Sequence, residues 1–305
     1  MNRPTRFAAA TLALLLALPA CAQSPATTAA PTASAANDAD PALWVVRDED
    51  TTVYLFGTVH VLKPGLSWFD EAVKTAFDRS GTLVIEMIQP EAAAAQPVVM
   101  AKGMASAGPT LTEQLPAAKR AAFVQAIGNV GVPIATVDRM RPWLAAITLS
   151  QTPLGKLGYQ GENGPEAVLA AAAKEAGKPV VGLETFEQQI GFFDALSQAA
   201  QLSFLASTID ELPKLGQTMA EMVSDWSRGD PDALARLLND NLKESPEVGR
   251  VLLTNRNKAW AGWVSERMKT PGTVFVAVGA GHLAGPQSVQ AQLKPLRLKA
   301  VRVTY

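Results

Sequence analysis

Two short frames at opposite ends of the chain constrain the fold most. The first is Val53 to His60, VYLFGTVH; the second is Thr273 to His282, TVFVAVGAGH. In each, an apolar run rich in strand formers stops at a glycine, and a histidine follows three residues on. These are the chain's two histidines, 222 positions apart. After the first frame, Ser67 with Asp70 has the pattern of a capping box, which predicts a helix from about Trp68. Gly81 ends that helix, and Leu83, Val84 and Ile85 form a second buried strand that delivers Glu86. Parallel strands joined by such a crossover point their carboxyl ends to one edge of the sheet. His60 and Glu86 are therefore expected close together at that edge, where open α/β sheets bind ligands.

The other elements follow from turn and breaker signals. Leu43 to Val46 and Val53 to Phe56 flank the acidic turn Asp48-Glu49-Asp50, as a hairpin would. From about Pro90 to Lys269 the pattern is mostly helical. Helices are expected over Pro116–Ile127, Val137–Leu149, Pro165–Ala176, Thr185 to about Ile209, Leu215–Trp226, Pro231–Leu242 and Glu247–Met268. A short strand, Val180 to Leu183, interrupts them and ends in Glu184. After the second frame a helix from about Pro286 and a strand over Leu298–Thr304 repeat the order of the first, with no counterpart of Glu86. The expected fold is α/β: one mixed central sheet assembled from both chain ends and covered by the helical middle. Trp68, Phe69, Trp143, Trp226, Trp260 and Trp263 could line a peptide groove, but most recur at helical spacing with other apolar residues and read as core.

Arg3 and Arg6 precede an apolar stretch, Phe7 to Leu18, too short for a membrane span. It ends in Leu18-Pro19-Ala20-Cys21, which resembles a bacterial lipobox. This divides the chain into a lipoprotein-type signal peptide at 1–20, a lipidated Cys21 with a flexible Ala/Ser/Thr/Pro-rich tether to 41, and a folded domain at 42–305. Lipid on Cys21 would hold the protein to a membrane, facing away from the cytoplasm. Ordinary secretion, with cleavage after Ala22, is the alternative. Cys21 is the one cysteine, so neither an intramolecular disulfide nor a cysteine-based zinc site is available. A formal charge of −1 gives no electrostatic case for nucleic acid.

Imidazole and carboxylate are good metal ligands. His60, Glu86 and His282 together would make a two-histidine, one-carboxylate site with open positions, suited to zinc, manganese, cobalt or iron. Such an ion would lower the pKa of its water and polarise a carbonyl. A metal-free centre is chemically as good, with Glu86 or one histidine as base and the other histidine as acid or electrophile. The bland reading of Glu86 is a salt bridge to Arg139, Arg141 or Arg256, because a carboxylate at the end of an apolar strand is costly without a partner.

The ordered set YLFGTVHVL, LVIEM and FVAVGAGHLAG resembles the TraB/GumN family, which includes the animal TIKI proteins. Arg141-Pro142-Trp143, GYQGENGPEAVL, VVGLET and LLTNRNKAW agree, so the resemblance covers about Leu43 to Tyr305. It extends to the erythromycin esterase and ChaN-like group. The resemblance implies a mixed sheet of split βαβ units. It also implies a metal-dependent, peptidase-like hydrolase centred on His60, Glu86 and His282, with manganese or cobalt as the ion. Arg256 and Asn257 match the family's Arg-Asn pair. Arg256 could bind a substrate carboxylate or an oxyanion, or simply bridge Glu86 or Glu184. Glu184 is a further acid/base or ligand candidate. Substrates would be peptides or envelope-derived molecules. Other members are read as peptide-pheromone inhibitors, so a binding protein without turnover stands beside the hydrolase, as does a metal-independent esterase or lactonase.

Overall fold

Apolar runs buried on both faces pair side by side in parallel, because helices can cover both faces of a parallel sheet. A computed structural model of the chain describes residues 38–239, 242 and 245–305. Its strands are β1 (Leu43–Arg47), β2 (Thr51–Thr58), β3 (Thr82–Met87), β4 (Val180–Glu184), β5 (Gly272–Gly279) and β6 (Val301–Arg302). They lie in the order β4-β3-β5-β2-β1-β6. β5 runs parallel to both β2 and β3, with Thr58 opposite Gly279 and Ile85 opposite Ala277. β4 is parallel to β3; β1 is antiparallel to β2, and β6 to β1.

The mixed α/β architecture expected from the sequence is present, and so is the split unit. β2 and β3, joined by the helix Glu71–Arg79, do not pair; β5 is inserted between them. The second Gly-x-x-His frame thus enters the sheet at the centre of the first.

One face of the sheet, with Phe56, Ile85 and Phe275, packs on Trp68, Phe77, Leu169 and Trp226. Phe56 stacks on Trp68 at 5.6 Å and meets Trp226 edge-on at 6.3 Å. Such ring pairs contribute about 0.5–1.5 kcal/mol each beyond area burial. The Trp226 indole also donates to the Gly57 carbonyl at 2.7 Å, which ties the end of β2 to the helix Leu215–Ser227. The other face, with Leu55, Val84 and Val276, packs on Trp260 and Val264. A separate helical core surrounds Trp143, Phe193 and Phe204. Of the aromatics expected in the core, Trp68, Trp143, Trp226 and Trp260 are buried, while Phe69 and Trp263 are half-buried.

Several boundaries differ from the sequence reading. The first helix starts at Glu71, not Trp68: Ser67 hydrogen-bonds the Asp70 carboxylate instead of capping the helix. Trp68 is thereby free to enter the core ahead of the helix. The helix expected from Val137 starts at Pro142, and the Thr185 stretch is two helices, Phe186–Asp194 and Gln198–Glu211, the second capped by Ser197. The C-terminal helix and strand shrink to Val289–Leu293 and the two residues of β6. The expected leader, Cys21 and most of the tether lie outside the described residues. Among the described residues no helix is long and apolar enough to cross a membrane.

Candidate functional site

The four parallel strands end at one edge of the sheet. β2 leads to His60, β3 carries Glu86, β4 ends in Glu184 and β5 leads to His282. Above this edge runs the helix Asn255–Arg267, which contributes Arg256, Asn257 and Trp260. Five of the six residues singled out in the folded part of the sequence form one hydrogen-bonded cluster; His60 stands apart from it.

Arg256 is the hub. One of its terminal nitrogens donates to Glu86 Oε2 at 2.7 Å and to Glu184 Oε2 at 2.8 Å. Its Nε donates to Glu184 Oε1 at 2.9 Å, and the other terminal nitrogen lies 3.1 Å from His282 Nε2. The bland bridging role of Arg256 and the expected proximity of Glu86 and His282 are therefore both realised. Gln189, which the sequence reading did not single out, donates to both carboxylates, at 3.3 Å to Glu86 and 2.9 Å to Glu184. Glu86 Oε1 accepts the Gly279 N–H at 2.7 Å, a bond that exists because β5 lies beside β3. Trp260 donates to Glu184 Oε1 at 3.0 Å, and the Arg256 guanidinium lies over its ring.

The His282 tautomer follows from its partners. A guanidinium only donates, so Nε2 must carry a lone pair. Nδ1–H then donates to Asn257 Oδ1 at 2.6 Å, while Asn257 Nδ2 donates to the Gln287 carbonyl at 2.7 Å and fixes the amide. The ring is completely buried against Trp260. Burial and the adjacent Arg256 charge push its pKa down to about 3, against the pull of Glu86. His282 is thus neutral and sealed from solvent, with its Nε2 turned to Arg256. For Glu86, burial favours the protonated form. The charges of Arg256, His282 and His60 and the Gly279 N–H outweigh it and hold the pKa at about 2.

His60 belongs to a second pair. Its Nδ1 meets Glu166 Oε1, which also accepts from the Thr58 hydroxyl. Burial disfavours the charged ring, but the Glu166 charge and hydrogen bond, with Glu86 behind them, raise its pKa to about 9. At neutral pH the ring is an imidazolium. Its Nε2 is buried and has no protein partner. The loop carrying His60 is clamped to residues 160–166. Leu62 and Gln160 exchange two backbone hydrogen bonds, of 3.2 and 3.0 Å. The backbone of His60 passes so close to Gly164 that a Cβ there would lie 2.2 Å from the His60 carbonyl oxygen. Sequence reasoning passed over Glu166 and Thr58. The signal for Glu166 was Gly164-Pro165-Glu166, a helix start with a close-approach glycine, inside the GYQGENGPEAVL stretch.

Beside Glu184 opens a groove of about 420 Å³, lined by Ile88, Pro90, Val98, Gly182, Phe186 and Glu187 among others. As a metal centre, the arrangement does not converge. Both Glu86 oxygens are engaged, and Arg256 faces His282 Nε2. Among the described residues no group of three or more His, Cys, Asp or Glu is placed to hold an ion.

Comparison with known proteins places these residues in context. A family model described as TraB/PrgY/gumN matches residues 42–297. The uncharacterized protein YbaP of Escherichia coli (strain K12) is 32% identical over 152 residues, which covers 50% of this chain and 56% of YbaP. YbaP of Shigella flexneri gives the same figures, so the match spans little more than half the length of these relatives. An uncharacterized protein of Treponema pallidum (strain Nichols) is 24% identical over 318 aligned positions, covering 96% of this chain and 92% of that protein. No solved structure matches.

Proposed function

The chain belongs to the TraB/PrgY/gumN family, and we propose that it is a hydrolase that cleaves a carbonyl bond, most naturally the amide of a peptide, at the carboxyl edge of its sheet. The observation that carries this reading is His60. Its Nε2 is buried and unpartnered, its Nδ1 is held by Glu166, and its ring is charged at neutral pH. A charged imidazole with one committed nitrogen and one free nitrogen is a proton donor waiting for an acceptor. Water adds to the carbonyl carbon, the bond to the leaving group breaks, the leaving atom takes its proton from His60 Nε2, and the proton that the water sheds restores the imidazolium. Arg256, held rigidly by Glu86 and Glu184, supplies fixed positive charge toward the oxyanion. The groove beside Glu184 would take an apolar side chain of the substrate. The leader supports an envelope location, with lipid on Cys21 as the anchor; Cys21→Ser would then shift the protein from the membrane to the soluble fraction.

A second reading is a peptide-binding protein without turnover. It is favoured by the cluster itself, since Glu86, Arg256 and His282 are buried and bonded to one another. Incubating the full mature chain with peptide and ester libraries, followed by mass spectrometry, separates the two. Product pairs whose masses sum to the substrate plus one water, and which are lost in His60→Ala, support hydrolysis. Saturable binding with no product supports sequestration and refutes the enzyme.

A further inference from the structure

We infer that the cation position at the centre of this site is filled by the Arg256 guanidinium itself, and that Glu86, Glu184 and His282 serve as its ligands in place of a metal ion's. The inference deepens the hydrolytic reading, on which its catalytic meaning rests: the positive charge offered to substrate is the arginine's.

Two carboxylates and a neutral imidazole lone pair make a donor set that suits zinc, manganese or cobalt. Here every member of the set is turned on one guanidinium, at 2.7 Å from Glu86, 2.8 and 2.9 Å from Glu184 and 3.1 Å from His282. The surrounding layer is built as for a metal site. Asn257 fixes the imidazole tautomer, the Gly279 N–H fixes one oxygen of Glu86, and Gln189 and Trp260 fix Glu184. All of this orientation is spent on a planar fork of donors, which suits carboxylates in a way no spherical ion needs.

Seating an ion between His60, Glu86 and His282 would require Arg256 to withdraw. Its side chain is 5% exposed and lies over Trp260, so withdrawal would leave Glu184 buried at 8% exposure with its charge uncompensated. Breaking a buried ion pair by removing one partner is strongly unfavourable. A guanidinium also keeps its charge at every accessible pH, whereas a metal shell must first shed protons.

The test is metal titration of the full mature chain, read by NMR without substrate. Two histidines give two sets of ring signals, assigned with His60→Asn. With one equivalent of Co²⁺ or Mn²⁺, both sets are expected to remain unshifted and unbroadened, and dialysed protein to hold no stoichiometric metal. Ions that bind while leaving the His282 signals untouched also agree with a resident arginine. One equivalent of bound metal that shifts or broadens His282, and is lost in His282→Ala, would overturn the inference. Because turnover is not measured, the outcomes separate. A protein that takes no metal yet cleaves nothing refutes only hydrolysis, and one that cleaves with metal at His282 refutes only the resident arginine.

Discussion

Replacing Glu166 by glutamine is expected to remove the alkaline arm of the stability profile. In the folded protein the His60 pKa is raised from 6.5 to about 9. The folded state therefore binds the proton more tightly than the unfolded chain. The resulting stabilisation is complete below pH 6.5 and is lost as pH rises through 9. A shift of that size corresponds to ~3 kcal/mol, a sizeable part of the total for a typical domain. Burial opposes the charged ring, and Glu166 is the largest influence that overcomes it. Without that carboxylate, burial dominates and the ring folds neutral. Urea unfolding of both proteins at intervals from pH 6 to 10 measures the effect. Lysine and tyrosine titrations common to both cancel in the difference. Wild type should exceed Glu166→Gln by up to ~3 kcal/mol at the acid end, and the gap should close toward pH 10. A gap that stays constant across the range would refute the assignment of a charged His60.

The clamp on the His60 loop gives a steric prediction. Gly164→Ala would place a Cβ 2.2 Å from a backbone oxygen, so the two segments must part by about 1 Å at a cost of about 1–3 kcal/mol. Gly161→Ala, with nothing within 4 Å, is the neutral control, and equal melting temperatures for the two would count against the clamp. On the acid side, two groups lose stability as pH falls. His282 folds neutral, so its contribution fades from pH 6.5 toward about 3, and that of Glu86 fades from 4.5 toward about 2. Stability should begin to drop near pH 6.5, and His282→Asn should delay that onset to about the Glu86 range, as chemical unfolding would show. Trp226→Phe leaves the Gly57 carbonyl without its donor and should cost about 1–3 kcal/mol in urea unfolding; a change well under that would mean water replaces the indole.

The elements were readable where one local signal decides them. Val53–Phe56, Leu83–Ile85, Val180–Leu183 and the run after Thr273 are strands because short apolar runs end in glycine or a carboxylate. The convergence of Glu86, Glu184 and His282 was readable in kind, since strand ends of a parallel sheet share an edge; Arg256 and Asn257 sit on a helix and were singled out by the resemblance alone. Which side chain faces which was not. The His60 partner comes from the start of the helix Pro165–Glu175, and no periodicity links position 60 to position 166. The helix start near Trp68 was misplaced because Ser67 and Asp70 bond to each other, and only the core decides that Trp68 turns inward instead of winding into the helix. Breaks such as Ala195–Ser197 are set by which residues the next helix must bury, a tertiary constraint that overrides local propensity.

The position of β5 makes fold and site a single construction. If β2 and β3 paired directly, His60 and Glu86 would share an edge without His282, and Glu86 would lack the Gly279 N–H that stabilises its anion. Inserting β5 supplies both at once, the N–H from the strand end and the imidazole from the turn beyond it. Gly57 accommodates this insertion, because a Cβ there would lie 3.1 Å from Ala280 in that same turn. The cost of bringing such distant segments together must be met before the buried ion pairs form. Glu86 consequently loses the Gly279 N–H, and Arg256 its His282 partner, in any arrangement that lacks the last parallel strand, so partly assembled sheets bury this ion pair with fewer of its hydrogen bonds.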